Sequence, residues 1–169
     1  MSDHGSHRDI SGETPVERRA RLRAEAAAQA QAIGIDEALI KRLVDAFYTR
    51  VRADNLIGPV FANRISDWSP HLEKMYAFWS SVMMSSGTYR GQPMPKHVVL
   101  PIDARHFDRW LELFSQTALE VCPKDAAAAF IERAGRIAQS LEMGLAAKHD
   151  QVLLSGKRLT RPDDQVMLP

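Results

Sequence analysis

The sequence predicts an all-α protein. Apolar residues recur at helical spacing along most of the chain, no segment shows the alternation typical of a strand, and no segment repeats at a fixed period. The chain has 169 residues, of which 45% are hydrophobic and 25% are charged. This is enough for one domain with a buried core, and the composition excludes disorder along the whole chain.

Composition divides the chain into four segments. Residues 1–13 are polar and mixed in charge, and we expect a disordered lead-in there. A peripheral N-terminal helix is expected over 14–33, the main helical domain over 34–149, and a flexible tail over 150–169, where the periodicity is lost.

The N-terminal helix has clear signals at both ends. Thr14 can cap it, Pro15 suits its first position, and Glu17 completes a capping box. Gly34 is placed to end it. Because the intervening residues are rich in Ala, Arg, Glu and Gln with only a thin apolar stripe, this helix is predicted to be peripheral.

Four further helices are predicted, each with a residue at its start that can cap it and a broad apolar face. The residues expected to begin them are Asp36, Asp67 or Ser69, Asp103 and Asp125. Gly87 and Pro123 are expected to end the third and fourth helices of the chain.

The segment 87–101 contains two glycines and three prolines, so it cannot form one regular helix. It nevertheless carries several apolar residues around His97, which is unusual for a surface loop. We therefore expect this loop to cover another part of the molecule.

Charge and cysteine content exclude several classes of function. The net charge of +1 favours neither nucleic acid nor an anionic membrane as a partner. With Cys122 as the single cysteine, neither an intrachain disulfide nor a cysteine zinc site can form. No apolar run could span a bilayer or act as a secretory signal, so a cytoplasmic protein is expected.

Two histidines are the main candidates for chemistry. His71 lies in the apolar row of the third helix, and His97 lies in the loop described above. Together they could bracket a flat apolar cofactor that carries a metal, such as haem. The alternatives are a core histidine with satisfied nitrogens at 71 and a surface-loop histidine at 97.

Tyr48 and Trp110 lie on the apolar faces of their helices, and each has a hydrogen-bond donor. Either ring could lie at the core edge with its polar tip in water. Alternatively, both donors could face a ligand.

Six blocks of sequence follow one another over about residues 36–147: Phe47–Asp54, Leu56–Phe61, Trp68–Leu72, Phe78–Ser81, Tyr89–Pro93 with His97, and His106–Trp110. In order, spacing and residue types they resemble the group III truncated haemoglobins. The resemblance implies a two-over-two helical sandwich around haem b. The helix over 14–33 would be an addition to that fold.

The resemblance also implies roles for individual residues. His97 would be the proximal iron ligand, whereas Tyr48, Trp110 and His71 would lie on the distal side, where ligands bind. The residues expected in the haem environment are Phe61, Phe78, Trp79 and Tyr89. Arg90 and Lys96 flank the proximal loop and could pair with the haem propionates, or they could be solvated surface charges.

These roles predict reversible binding of oxygen, nitric oxide or carbon monoxide at an iron that His97 alone ligates from the protein. Two donors, Tyr48 and Trp110, would favour slow oxygen release. The alternative is a haem redox enzyme acting on peroxide or nitric oxide, peroxidase- or dioxygenase-like. It would need an external reductase, because the chain has no flavin or nicotinamide motif. No residue is assigned as catalytic.

His71 has three possible orientations: towards a ligand, onto the iron, or out towards solvent. Its place near the start of its helix, beside Pro70, puts it at the pocket rim. This position favours a side chain that swings as a gate.

Overall fold

The computed structural model describes residues 12–97, 99–153 and 156–160. Within these ranges the chain forms seven helices and no strand, which confirms the predicted all-α class. The helices are α1 (Pro15–Ala32), α2 (Glu37–Ala53), α3 (Gly58–Ala62), α4 (Trp68–Met84), α5 (Pro93–His97), α6 (Ala104–Val121) and α7 (Lys124–Lys148). Of the predicted lead-in, residues 1–11 lie outside the described residues.

Helix α1 begins and ends where the sequence predicts. The Glu17 backbone N–H donates to the Thr14 hydroxyl at 3.3 Å, and the Thr14 N–H donates to the Glu17 carboxylate at 2.8 Å, which completes the capping box. Gly34 follows the helix with a φ of 85°, a conformation that glycine adopts without strain. Helix α1 packs along α4, and most of its residues are exposed.

The core lies between two pairs of helices. Helix α2 packs on α4, α6 packs on α7, and the two pairs meet where α2 contacts α6. Phe114 of α6 lies at the centre, with its ring stacked on Trp79 at 4.9 Å and edge-on to Phe47 at 5.2 Å. Aromatic side chains from α2, α4 and α6 therefore bury each other in one continuous cluster.

The structure contains two short helices that the sequence pattern did not predict. Helix α3 lies in a segment containing Pro59, and α5 lies inside the loop 87–101 and begins at Pro93. Proline is tolerated in the first turn of a helix, because the N–H that it lacks would have no partner within the helix. Pro59 and Pro93 both lie in the first turn of a five-residue helix, so each proline is at the start of a helix and does not interrupt one.

Two details of the helix ends differ from the predictions. Helix α4 runs to Met84, as the sequence predicts, but the residue that ends it with a left-handed conformation is Ser85, with a φ of 54°, rather than Gly87. Helix α7 begins at Lys124, one residue before Asp125, with no side-chain cap at Pro123. The backbone carbonyl of Pro123 already accepts the Ala127 N–H at 2.8 Å.

Part of the predicted flexible tail packs on the helical domain. Leu159 is 2% exposed, and its carbonyl accepts the Ala104 N–H at 3.0 Å, at the start of α6. Arg158 forms ion pairs with Glu142 at 2.9 Å and with Asp108 at 2.8 Å. One buried leucine does not make a periodic apolar pattern. The sequence of this segment therefore predicted a flexible tail, whereas the structure shows that it contacts the helical domain.

Asp103 at the start of α6 provides a test of stability. Its side chain accepts the Arg105 N–H at 2.9 Å and forms an ion pair with the Arg105 guanidinium at 2.6 Å. We expect Asp103→Ala to lower the free energy of unfolding by about 1–2 kcal/mol. Chemical denaturation would measure this loss, and Asp103→Asn, which retains a cap, should lose less.

The pH dependence of that contribution follows from the pKa of Asp103. Burial alone would raise the pKa, but the bonds from Arg105 and His106 lower it from 3.8 to about 2. The ionised Asp103 side chain therefore contributes its full stabilisation at pH values above 3.8, the ordinary pKa that applies in the unfolded chain. This contribution is lost as the pH falls through about 2, the pKa in the folded protein. If the stability difference between wild type and Asp103→Asn did not shrink over this interval, the ionised side chain would not be its source.

Candidate functional site

Two of the predicted distal residues are brought together by one phenylalanine. The Phe47 ring lies 5.0 Å from Tyr48 on the same helix and 5.4 Å from Trp110 on α6. Phe47 is buried because it lies on the apolar face of α2. Tyr48 and Trp110, 62 positions apart in the sequence, thus flank one buried ring.

His71 lies on the other side of Tyr48. The two rings are 5.1 Å apart and nearly perpendicular, at 89°. The His71 Nε2 atom is buried and has no hydrogen-bond partner within the described residues. Burial lowers the pKa of His71, with smaller contributions from the charges of Lys74 and Lys96, so the imidazole is favoured in its neutral form.

The Tyr48 side chain is itself buried, and burial alone raises its pKa well above the ordinary value. The hydroxyl therefore stays protonated and can donate a hydrogen bond. Phe61, at the end of α3, packs edge-on against Tyr48 with the ring centres 5.8 Å apart. The six rings around this point, which we call the distal cluster, are Phe47, Tyr48, Phe61, Trp68, His71 and Trp110.

Trp68 belongs to the distal cluster, although no role was predicted for it from the sequence. Its ring lies 5.9 Å from Tyr48 and 5.7 Å from His71, and the Arg52 guanidinium carbon lies 4.9 Å from its centre. The available signal was its spacing of three from His71, which places both residues on one face of a helix.

His97 ends α5 with its ring already oriented. The Nδ1 atom lies 2.7 Å from the Pro93 carbonyl oxygen, which can only accept, so Nδ1 carries the hydrogen. In a neutral imidazole this leaves a lone pair on Nε2, which is the form that binds a metal. Backbone geometry therefore sets the tautomer of His97 without a second side chain.

Helix α5 packs against α7 beside a glycine. A Cβ atom at position 144 would collide with the Sδ atom of Met94, so a larger residue there would require the flexible Met94 side chain to move. The charge of Lys96, which precedes His97, makes a small contribution to the lowered pKa of His71.

The other predicted site residues occupy different surroundings. Phe78 contacts Trp79 at 5.4 Å and Tyr89 at 5.2 Å, which connects α4 to the loop before α5. Trp79 also contacts Phe114 and Phe130, so it is part of the main core. Arg90 and Lys96 are both exposed.

These residues fit a haem group. His97 offers a lone pair on Nε2, and the partly buried rings of Phe61, Trp68 and Phe78 present apolar surface. The unpaired Nε2 of His71 lies beside the buried hydroxyl-bearing ring of Tyr48, where a polar ligand would have partners. No group of three or more His, Cys, Asp or Glu residues in the described ranges could hold a metal ion by itself.

Comparison with known proteins establishes the class. The family model described as bacterial-like globin matches residues 30–142. The chain therefore belongs to the bacterial-like globin family. As a globin it binds haem and a small gaseous ligand such as oxygen.

Relatives place it with the group III truncated haemoglobins, which confirms the resemblance seen in the sequence. The group 3 truncated hemoglobin ctb of Campylobacter jejuni is 33% identical over 113 residues, covering 64% of this chain and 89% of that protein. The crystal structure of a group III truncated hemoglobin from Campylobacter jejuni matches with 34% identity and a TM-score of 0.59, covering 63% of this chain and 88% of that one.

A more distant structure has the same fold. The truncated oxygen-avid haemoglobin from Bacillus subtilis matches with 27% identity and a TM-score of 0.57, covering 66% of this chain and 96% of that one. The two helix pairs described above are those of the predicted two-over-two sandwich. In the described part of the chain, no helix is long and apolar enough to cross a membrane.

Proposed function

We propose that this protein reversibly binds oxygen or another diatomic ligand at a haem b whose iron has His97 as its single protein ligand. When bound, the haem would supply an iron centre that can bind a small ligand; His97 would hold the iron, and the residues of the distal cluster would surround the ligand. His97 contributes the Nε2 lone pair, and its bond from Nδ1 to the Pro93 carbonyl keeps that lone pair available.

Tyr48 and Trp110 are the proposed donors to the ligand. Burial keeps the Tyr48 hydroxyl protonated, and the Trp110 indole nitrogen can only donate. A preorganised donor in a pocket that excludes water stabilises a ligand that gains negative charge. Two such donors predict slow oxygen release, which is unsuited to bulk oxygen transport.

We further propose that Phe61, Phe78, Trp79 and Tyr89 belong to the haem surroundings. Phe61 supports this through its contact with Tyr48, and Tyr89 through its contact with Phe78. Trp79 lies in the main core and would belong to these surroundings through its contact with Phe78. Arg90 and Lys96 are exposed on the segment that carries His97, where a cation could pair with a propionate.

The observation that carries the proposal is a pair of buried polar groups in one aromatic cluster. The Tyr48 and His71 rings are 5.1 Å apart, and the Nε2 atom of His71 has no partner in the described part of the chain. An unsatisfied buried polar atom costs about 1–3 kcal/mol, so such a site favours a ligand that completes its hydrogen bonds. The oxygen-avid relative from Bacillus subtilis supports oxygen as that ligand.

An absorption spectrum of the purified protein tests the cofactor, since bound haem gives a strong Soret band. Oxygen dissociation after mixing with a ligand scavenger tests the distal donors. Steady consumption of peroxide with an external reductant would instead favour the redox alternative. An external reductase and a cytoplasmic location, in keeping with the single Cys122, remain predictions from the sequence.

Removing either donor is expected to speed oxygen release. Tyr48→Phe and Trp110→Phe should each increase the dissociation rate roughly five- to tenfold, because each hydrogen bond contributes ~1–1.5 kcal/mol. Tyr76→Phe is the matched control, since the Tyr76 hydroxyl bonds Asp45 and Lys41 rather than facing the distal cluster. Unchanged rates in both distal variants would refute the two-donor pocket.

A further inference from the structure

The Trp68 indole lies between a cation and an imidazole. The guanidinium carbon of Arg52 lies 4.9 Å from the centre of the Trp68 ring. The His71 ring lies 5.7 Å from the same indole, at an interplanar angle of 86°. Arg52 is in the last turn of α2, and Trp68 is the first residue of α4, so this contact ties the end of one helix to the start of the next.

The inward orientation of His71 depends on ring contacts. Its Nε2 makes no hydrogen bond to any described residue, so no such bond from this atom fixes the side chain. The imidazole ring packs edge-on against two aromatic rings, Tyr48 at 5.1 Å and Trp68 at 5.7 Å. Tyr48 is buried in the core, whereas Trp68 is only half-buried. Of the two rings that contact His71, Trp68 is therefore the one with room to move.

We propose that Trp68 is a positioning residue that keeps His71 turned into the distal cluster, and that Arg52 keeps Trp68 in place. The proposal rests on the proposed function, because it concerns access of a ligand to the same pocket. An inward His71 occupies space beside Tyr48, where a ligand would lie. Loosening Trp68 therefore lets His71 turn outward and lets the ligand enter faster.

Carbon monoxide rebinding after flash photolysis of the ferrous holoprotein measures that access. Removing one ring contact in Trp68→Ala should speed association about three- to tenfold. Removing the cation in Arg52→Gln should speed it about two- to fivefold, whereas Arg52→Lys should remain close to wild type. Arg42→Gln is the control, because Arg42 is an exposed arginine of α2 about 15 Å along the helix from Arg52.

A double-mutant cycle separates positioning from a change in the shape of the opening. If Trp68 acts through His71, then Trp68→Ala should change the association rate much less in a His71→Ala background. If Trp68→Ala accelerates carbon monoxide association equally in the His71→Ala background, the indole only narrows the opening of the pocket, and the proposal fails. It also fails if neither Trp68→Ala nor Arg52→Gln changes the rate in wild type.

A second measurement does not depend on haem. Proton nuclear Overhauser effects between the rings of His71 and Tyr48 report the inward orientation in the purified chain, and Trp68→Ala should weaken them. If they weaken in a chain that takes up no haem, the proposed function fails but the positioning role stands. If they persist unchanged in Trp68→Ala, the positioning role fails whether or not haem binds.

Discussion

His97→Ala is expected to lose haem more than about 100-fold faster than the wild type. Loss of a partner that merely orients a metal ligand costs about 10–100-fold in affinity, and His97 is proposed as the ligand itself. The hydrogen bond from Nδ1 to the Pro93 carbonyl leaves a lone pair on Nε2 of His97. Alanine at position 97 has neither this hydrogen bond nor the lone pair. Transfer of haem to an excess of another apoglobin would measure the rate.

Two further variants make this test specific. Imidazole added to His97→Gly should restore the axial nitrogen signature in the spectrum, because the small ligand can occupy the space left by the side chain. His106→Ala is the control, since His106 bonds Asp103 at the start of α6. If His97→Ala retained haem as firmly as wild type with its nitrogen coordination intact, the proposed ligand and the pocket built on it would be wrong.

Phe114→Ala is expected to lower the free energy of unfolding by about 3–5 kcal/mol, as truncation of a fully buried phenylalanine does. Phe114 has no exposed surface and contacts three aromatic rings: Phe47 at 5.2 Å, Trp79 at 4.9 Å and Trp110 at 5.3 Å. Alanine would leave a cavity between them. Urea denaturation followed by circular dichroism would measure the loss.

Leu119→Ala on the same helix is the matched control. Leu119 is 66% exposed, so its truncation should change the stability by less than about 0.5 kcal/mol. Because Trp110 stacks on Phe114, Phe114→Ala should also release oxygen faster than wild type. If Phe114→Ala and Leu119→Ala had the same free energy of unfolding, the stacking of Phe114 on its neighbouring rings would contribute little to the stability of the core.

Helix beginnings were the part of the fold that the sequence predicted best. Thr14, Asp36 and Asp103 each accept the backbone N–H bond expected of a cap. Capping depends on residues within one turn of each other, so it can be recognised from local sequence. Helices α3 and α5, of five residues each, are too short to show a period and were missed.

The site was only partly predictable. The residue pattern singled out His97, Tyr48, His71 and Trp110, and the resemblance gave them roles. The structure puts Tyr48, His71 and Trp110 in one cluster. Trp68 and its contact with Arg52 were missed, because Arg52 and Trp68 belong to different helices and only packing brings them together. Likewise, no local pattern indicated that Leu159 would be buried against α6 and α7.

The sequence by itself determined the all-α class, the positions of the long helices and the family. These properties depend on periodicity, local capping and the order of short blocks, all of which can be seen along one chain. Only the tertiary structure decided which way His71 faces, that the Pro93 carbonyl sets the tautomer of His97, and that Trp68 lies between Arg52 and His71. Those features arise where side chains and backbone meet in space, and packing between elements selects among rotamers that the local sequence leaves open.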